Sequence, residues 1–178
     1  LMEGSTTSDH PAPHIRQSVN ISFDQATHHA WDLVPIRSGD SLGVWISKWR
    51  WANYVGREQW RDAWLMDIAR GSMMCQIWGD LSMFSDEDID FLCSVDAWVG
   101  SKAGLLKSPK RILGSPWNLE PYGYAYEESE RGLAFVFNPT FDICEAEFDI
   151  CKHHLKYGLQ PFELKIVETG IGGVREYI

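Results

Sequence analysis

The sequence predicts an α/β segment that passes into an all-β domain, and three observations carry that prediction. Arg61 to Leu92 reads as helix, buried strand, loop and helix, the closing joint of a larger α/β domain. Gly100 to Pro109 carries Gly, Ser, Lys and Pro, the composition of a boundary. Beyond it the apolar residues recur at every second position, the period of a strand. Residues 1–104 are therefore assigned to the α/β part and residues 105–178 to an antiparallel β-domain.

Leu1 to Pro13 is polar and turn-rich, and Pro11 and Pro13 stop a helix from starting before His14. From there Ile15, Val19, Phe23, Ala26 and Ala30 recur at helical spacing, which predicts a helix as far as Trp31. Pro35 ends it, and Ser38-Gly39-Asp40 is a loop signal before the short apolar run Leu42 to Ile46, a buried strand. Trp45, Trp49, Trp51, Asn53 and Tyr54 follow in a stretch that fits neither period.

Gly56 to Ala69 is helical again, with Trp60, Ala63, Trp64, Asp67 and Ile68 on one face and Gly71 as its stop. Met73 to Leu81 is short and almost wholly apolar, as in a parallel strand covered on both faces. Asp80 is expected to cap the segment after it. Ser85 then caps a helix whose first turn holds Asp86, Glu87 and Asp88, acids that suit the positive end of the helix dipole. Ile89, Leu92, Cys93 and Trp98 are its expected buried stripe.

In the β-domain Tyr122, Tyr124 and Tyr126 alternate along one strand, Glu127 to Gly132 turns the chain, and Leu133, Phe135 and Phe137 mark the next strand. Asn138-Pro139 is a turn. Phe141 to Ile150 reads as a further strand whose apolar register shifts between Ile143 and Phe148, as a bulge or turn requires. Phe162, Leu164 and Ile166 mark another, and Gly170 to Gly173 leads into a last one.

Composition bounds the function. Of 178 residues 44% are hydrophobic and 23% charged, ordinary globular usage, and a chain of this length can bury roughly 70% of its unfolded surface. A net charge of -9 without a basic stripe argues against a nucleic-acid partner. No apolar run reaches the length of roughly 18 residues that spans a bilayer, so no membrane partner is expected. The chain starts Leu1-Met2-Glu3 and ends on Val174 to Ile178 like a strand cut open, so a piece of a longer protein is expected.

The chemistry is sparse. Gly170-Ile171-Gly172-Gly173 lacks the helix and the Lys-Ser/Thr end of a phosphate loop. The pairs His28-His29 and His153-His154 are adjacent, and adjacent side chains diverge on a helix or strand, so no metal site and no cofactor are expected. Four cysteines form no Cys-x-x-Cys pair, and a disulfide between Cys144 and Cys151 stays open on spacing alone. Among nine tryptophans, Trp60, Trp64, Trp78 and Trp98 lie on periodic faces and read as core. Trp45, Trp49 and Trp51, with Asn53 beside them, suit sugar stacking as well as they suit packing. Asp9, in Thr7-Ser8-Asp9-His10-Pro11, sits in a loop just before a helix, where a barrel projects catalytic groups, and Asp40 in its Gly-Asp-Ser loop suits a sugar hydroxyl.

Several of these short motifs come together in a resemblance. Ser8-Asp9, Arg16, the helix Arg61 to Arg70, Trp78-Gly79-Asp80-Leu81 and Ser85-Asp86-Glu87-Asp88 look like the closing part of the catalytic barrel of α-galactosidase-like glycoside hydrolases, clan D, family thirty-six and its relatives. Gly-Tyr-Ala at 123–125, Arg131-Gly132-Leu133, Phe137-Asn138-Pro139 and Leu159-Gln160-Pro161-Phe162-Glu163 are similar to the C-terminal sheet domain that follows such barrels.

The resemblance implies the last βα segments of a (β/α)8 barrel joined to an antiparallel β-sandwich, and a retaining glycosidase acting on α-galactosides or similar sugars. Such enzymes use two carboxyl groups roughly 5 to 5.5 Å apart, one a nucleophile and the other an acid/base. Ser8-Asp9 matches the family's acid/base position, and Arg16 falls near the Arg that often follows it. His10-Pro11-Ala12-Pro13 departs from the family's more polar pattern, and no residue of this chain matches the nucleophile. The resemblance makes a carbohydrate the partner, and Arg16, Asp40, Trp45, Trp49, Trp51 and Asn53 are its expected contacts. The alternative is a non-catalytic carbohydrate-binding protein that uses the Trp45 to Tyr54 region and the sheet face.

Overall fold

A computed structural model describes residues 44–46, 59–69, 71, 77–115, 118–170 and 172–177. The apolar runs predicted as buried strands contain Val44–Ile46 (β1) and Ile77–Gly79 (β2), which pair in parallel with Val44 opposite Ile77 and Trp45 opposite Trp78. Gln59–Ala69 (α1) lies between them in sequence, a β-α-β order, and a 3-10 turn, Leu81–Met83, follows β2. The predicted helix from His14 to Trp31 lies outside the described residues.

α1 buries Trp60, Trp64, Leu65 and Ile68. It stops at Gly71, which takes φ 78° and donates its N–H to the Ile68 carbonyl at 3.0 Å. A side chain at Gly71 would also strike the Tyr126 hydroxyl, 2.9 Å from an added Cβ. That hydroxyl donates to the Ala69 carbonyl at 2.8 Å, so a residue of the sheet satisfies one of the carbonyls the helix end leaves open.

Asp86–Lys102 (α2) starts on a full capping box: the Ser85 hydroxyl accepts from the Asp88 N–H, and the Asp88 carboxylate accepts from the Ser85 N–H at 2.9 Å. The buried stripe follows the apolar pattern at Leu92 and Trp98 and departs from it at Ile89 and Cys93. Ile89 is 45% exposed and Cys93 is exposed, while Asp88 and Val95 are buried and Phe91, Leu92, Trp98 and Val99 pack partly against the core. The stripe runs through a charged residue because Arg61 donates to Asp88 at 2.7 Å, pairing the buried charge, and stacks over Phe91 at 4.9 Å.

The second half is a five-stranded antiparallel sheet of Lys110–Leu113 (β3), Tyr122–Glu128 (β4), Arg131–Phe137 (β5), Leu164–Thr169 (β8) and Arg175–Glu176 (β9), in that spatial order, plus a two-stranded sheet of Cys144–Ile150 (β6) and His153–Leu159 (β7). The five-stranded sheet is covered on both faces. Tyr122, Tyr124, Tyr126, Leu133, Phe135, Phe137, Leu164 and Ile166 share a core with α1 and α2. Ala125, Ala134, Val136 and Val167 pack against Ala146, Phe148, Ile150 and Leu159 of the β6–β7 hairpin. Large side chains thus face the helices, and small ones let the hairpin close down on the other side.

The turn after β4 is tighter than Glu127 to Gly132, because the ladder continues to the pair Glu128 and Arg131 and leaves Ser129-Glu130 as the loop. No bulge is needed in β6: Ile143 lies before the strand, 67% exposed, and Ala146, Phe148 and Ile150 then keep one register. Phe162 belongs to the turn before β8, with φ 57°. β3 and β7 are strands the sequence reading does not single out. Cys144 and Cys151 are free thiols at opposite ends of β6, seven residues and so roughly 23 Å apart in extended chain, far beyond disulfide reach.

Candidate functional site

Parallel strands present their working groups beyond their C-terminal ends. β2 ends at Gly79, and Asp80 is the next residue. Its carboxylate accepts from the Ser82 hydroxyl at 2.6 Å and the Ser82 N–H at 3.0 Å, capping the 3-10 turn as expected. The Ser82 hydroxyl first, and its N–H second, hold the Asp80 carboxyl below the ordinary value of 3.8. Asp80 is therefore an acceptor committed to its own turn.

A second concentration of polar groups lies where the sheet meets the end of α2. β8 places Leu164, Ile166 and Glu168 on the face toward the helices, so a carboxylate follows two core residues on an apolar row. Lys102 donates to one oxygen of Glu168 and the Tyr177 hydroxyl to the other, and the Lys102 ammonium sits 5.6 Å from the centre of the Tyr177 ring. Burial pushes the Glu168 carboxyl up, but the Lys102 and Tyr177 hydrogen bonds, with the charges of Lys102 and Arg175, outweigh it and hold the group below 4.5.

Beside this cluster opens a cleft of about 300 Å³ lined by Glu130, Arg131, Glu168, Gly170, Gly173 and Arg175. Strand register explains it. Leu133, Glu168 and Arg175 face one another across β5, β8 and β9, and Gly170 lies next to Arg131, 3.3 Å from an added Cβ to the Arg131 Cβ. The missing side chain at Gly170 leaves space beside Arg131.

Asp9, Arg16, Asp40, Trp49, Trp51 and Asn53 lie outside the described residues. Trp45 lies in β1, its backbone opposite Trp78. Among the described residues no group of three or more His, Cys, Asp or Glu could hold a metal ion, and no helix is long and apolar enough to cross a membrane. Glu168 and Arg175 belong to no motif visible in the sequence. Its one available signal is the acid that ends the alternation Leu164, Ile166, Glu168 on a row otherwise buried.

No protein-family model matches the chain, and neither does a curated protein or a solved structure.

Proposed function

We propose that the chain is the C-terminal portion of a retaining glycoside hydrolase of the α-galactosidase-like kind, acting on α-galactosides or similar α-linked sugars. In this reading β1 and β2 are late strands of a (β/α)8 barrel, residues 105–178 form the β-sandwich that follows it, and the nucleophile precedes residue 1 in the parent protein. Asp9 is the acid/base, and Arg16, Asp40, Trp45, Trp49, Trp51 and Asn53 contact the sugar. The observation that supports it best is the parallel pairing of β1 with β2, a crossover that leads through the capped helix α2 onto an antiparallel sheet.

In the non-catalytic alternative a glycan binds at the Trp45 to Tyr54 region and the sheet face. Tyr122, Tyr124 and Tyr126 are fully buried and cannot stack on a glycan.

Asp9→Asn in the complete parent protein tests the reading. Loss of a general acid lowers rates by about 10² to 10⁴ on substrates with poor leaving groups, where protonation of the glycosidic oxygen is needed, and far less on activated aryl glycosides. Steady-state kinetics on both substrate types measure the split, and wild-type rates on both remove Asp9 from the role.

A further inference from the structure

The cleft between β5, β8 and β9 has no part in the glycosidase reading. Its lining pairs two carboxylates, Glu130 and Glu168, with two guanidiniums, Arg131 and Arg175. Three of the four are engaged: Glu168 by Lys102 and Tyr177, Arg131 through Nε and Nη2 by Glu128, and Glu130 by Lys152 at 3.6 Å. Among the described residues Arg175 makes no hydrogen bond, and its charge acts on the Glu168 carboxylate. Its guanidinium lies 3.6 Å from the place a Cβ would occupy on Gly172.

We propose that this cleft binds a neutral polyhydroxylated ligand, a saccharide unit, with one hydroxyl accepting from Arg175 and its neighbour donating to Glu168. Both groups stand opposite each other in the strand register and so bracket vicinal hydroxyls. Each oxygen of Glu168 has a second lone pair beyond the one its present partner uses. The side chain is 17% exposed, and a hydrogen bond made there competes with little water. The Glu168 carboxylate opposite Arg175, on a chain of net charge -9, disfavours an anion. The cavity volume stands at the lower end of small-molecule sites, about 300–1,000 Å³. Arg175 and Glu168 are binding residues here, remote in sequence from Asp9.

The choice of an α-galactoside as probe rests on the glycosidase reading. The full chain, titrated with methyl α-galactoside and separately with inorganic phosphate, is followed by the amide resonances of Gly170 and Gly173 and the Nε–H of Arg175. Saturable shifts with the saccharide are expected, weakened roughly tenfold by Arg175→Ala, which removes a hydrogen bond from a charged donor. Gly170→Leu fills the cleft without altering its charge and is expected to abolish the shifts. Should that variant not fold, Arg175→Lys keeps the charge, loses the planar fork and weakens the saccharide in the same direction. Shifts with phosphate alone, no shift with the saccharide, or wild-type affinity in both Arg175→Ala and Arg175→Lys overturns the proposal. Cleft binding without hydrolysis by the parent protein removes the glycosidase reading alone, and hydrolysis with a silent cleft removes the cleft alone.

Discussion

Asn138 is fully buried, and every polar atom of its side chain is engaged. Its amide nitrogen donates to the carbonyls of Asp142 at 2.8 Å, Gln160 at 2.9 Å and Leu159 at 3.3 Å, and its oxygen accepts from the Thr140 N–H and hydroxyl. One residue thus ties the loop after β5 to the loop after β7. Asn138→Asp keeps the shape and replaces the donor with an oxygen facing three carbonyls. We expect it to destabilise the fold by about 2–4 kcal/mol, read as a lower urea midpoint near neutral pH. An unchanged midpoint would sink this account of the two loops. In the sequence Asn138-Pro139 announces a turn and nothing more, because two of the partners lie 21 and 22 residues further on.

Elements are legible where local chemistry alone sets them. Ser85 and the acids after it give the start of α2, and Gly71 gives the end of α1. Two failures have physical causes. The stripe of α2 runs through Asp88, held by Ser85 of the capping box and by a distant Arg61, so a rule that reads apolar residues as buried selects Ile89 instead. β7 escapes the sequence because its hairpin turns on Cys151-Lys152, both at positive φ, in place of the glycine and asparagine such turns favour. Between elements, the Glu168 bonds to Lys102 and Tyr177 latch α2 and the residue after β9 to β8. The folded Glu168 carboxyl lies below its ordinary 4.5, so the unfolded chain binds this proton more tightly than the folded one. The latch therefore stabilises fully above pH 4.5 and loses that stabilisation as pH falls through the depressed folded value. Glu168→Gln should flatten the fall in unfolding free energy over that acid window, measured by urea titration at a series of pH values. Tyr126→Phe removes the donor to the Ala69 carbonyl and should cost about 1–2 kcal/mol, which the same unfolding assay measures at neutral pH.

At the scale of the molecule, alternation makes the sheet readable, whereas the cleft stays hidden, since it gathers residues from three strands and depends on an absent side chain at Gly170. Alternation also conceals a dependence. The boundary at 104/105 falls between the helices and the sheet they cover, and one core draws on both sides of it. Tyr122, Tyr124, Tyr126, Leu133, Phe135 and Phe137 meet Trp60, Trp64, Leu65 and Trp98 there, with Trp98 edge-on to Phe135 at 6.1 Å between ring centres. Residues 105–178 alone would expose that face while the hairpin still covers the other. Six large side chains would return to water at about 1.5–3 kcal/mol each, together as much as the whole stability of a small domain. We expect this piece to self-associate and to bind a hydrophobic dye, as large exposed apolar patches do. In the full chain the shared core should make tryptophan fluorescence and far-UV ellipticity disappear in one transition. Sedimentation and dye fluorescence on the piece, with two-probe melting on the full chain, decide the matter. A monomeric, dye-silent piece would show that the sheet is a self-sufficient domain whose aromatic face needs no helix to cover it.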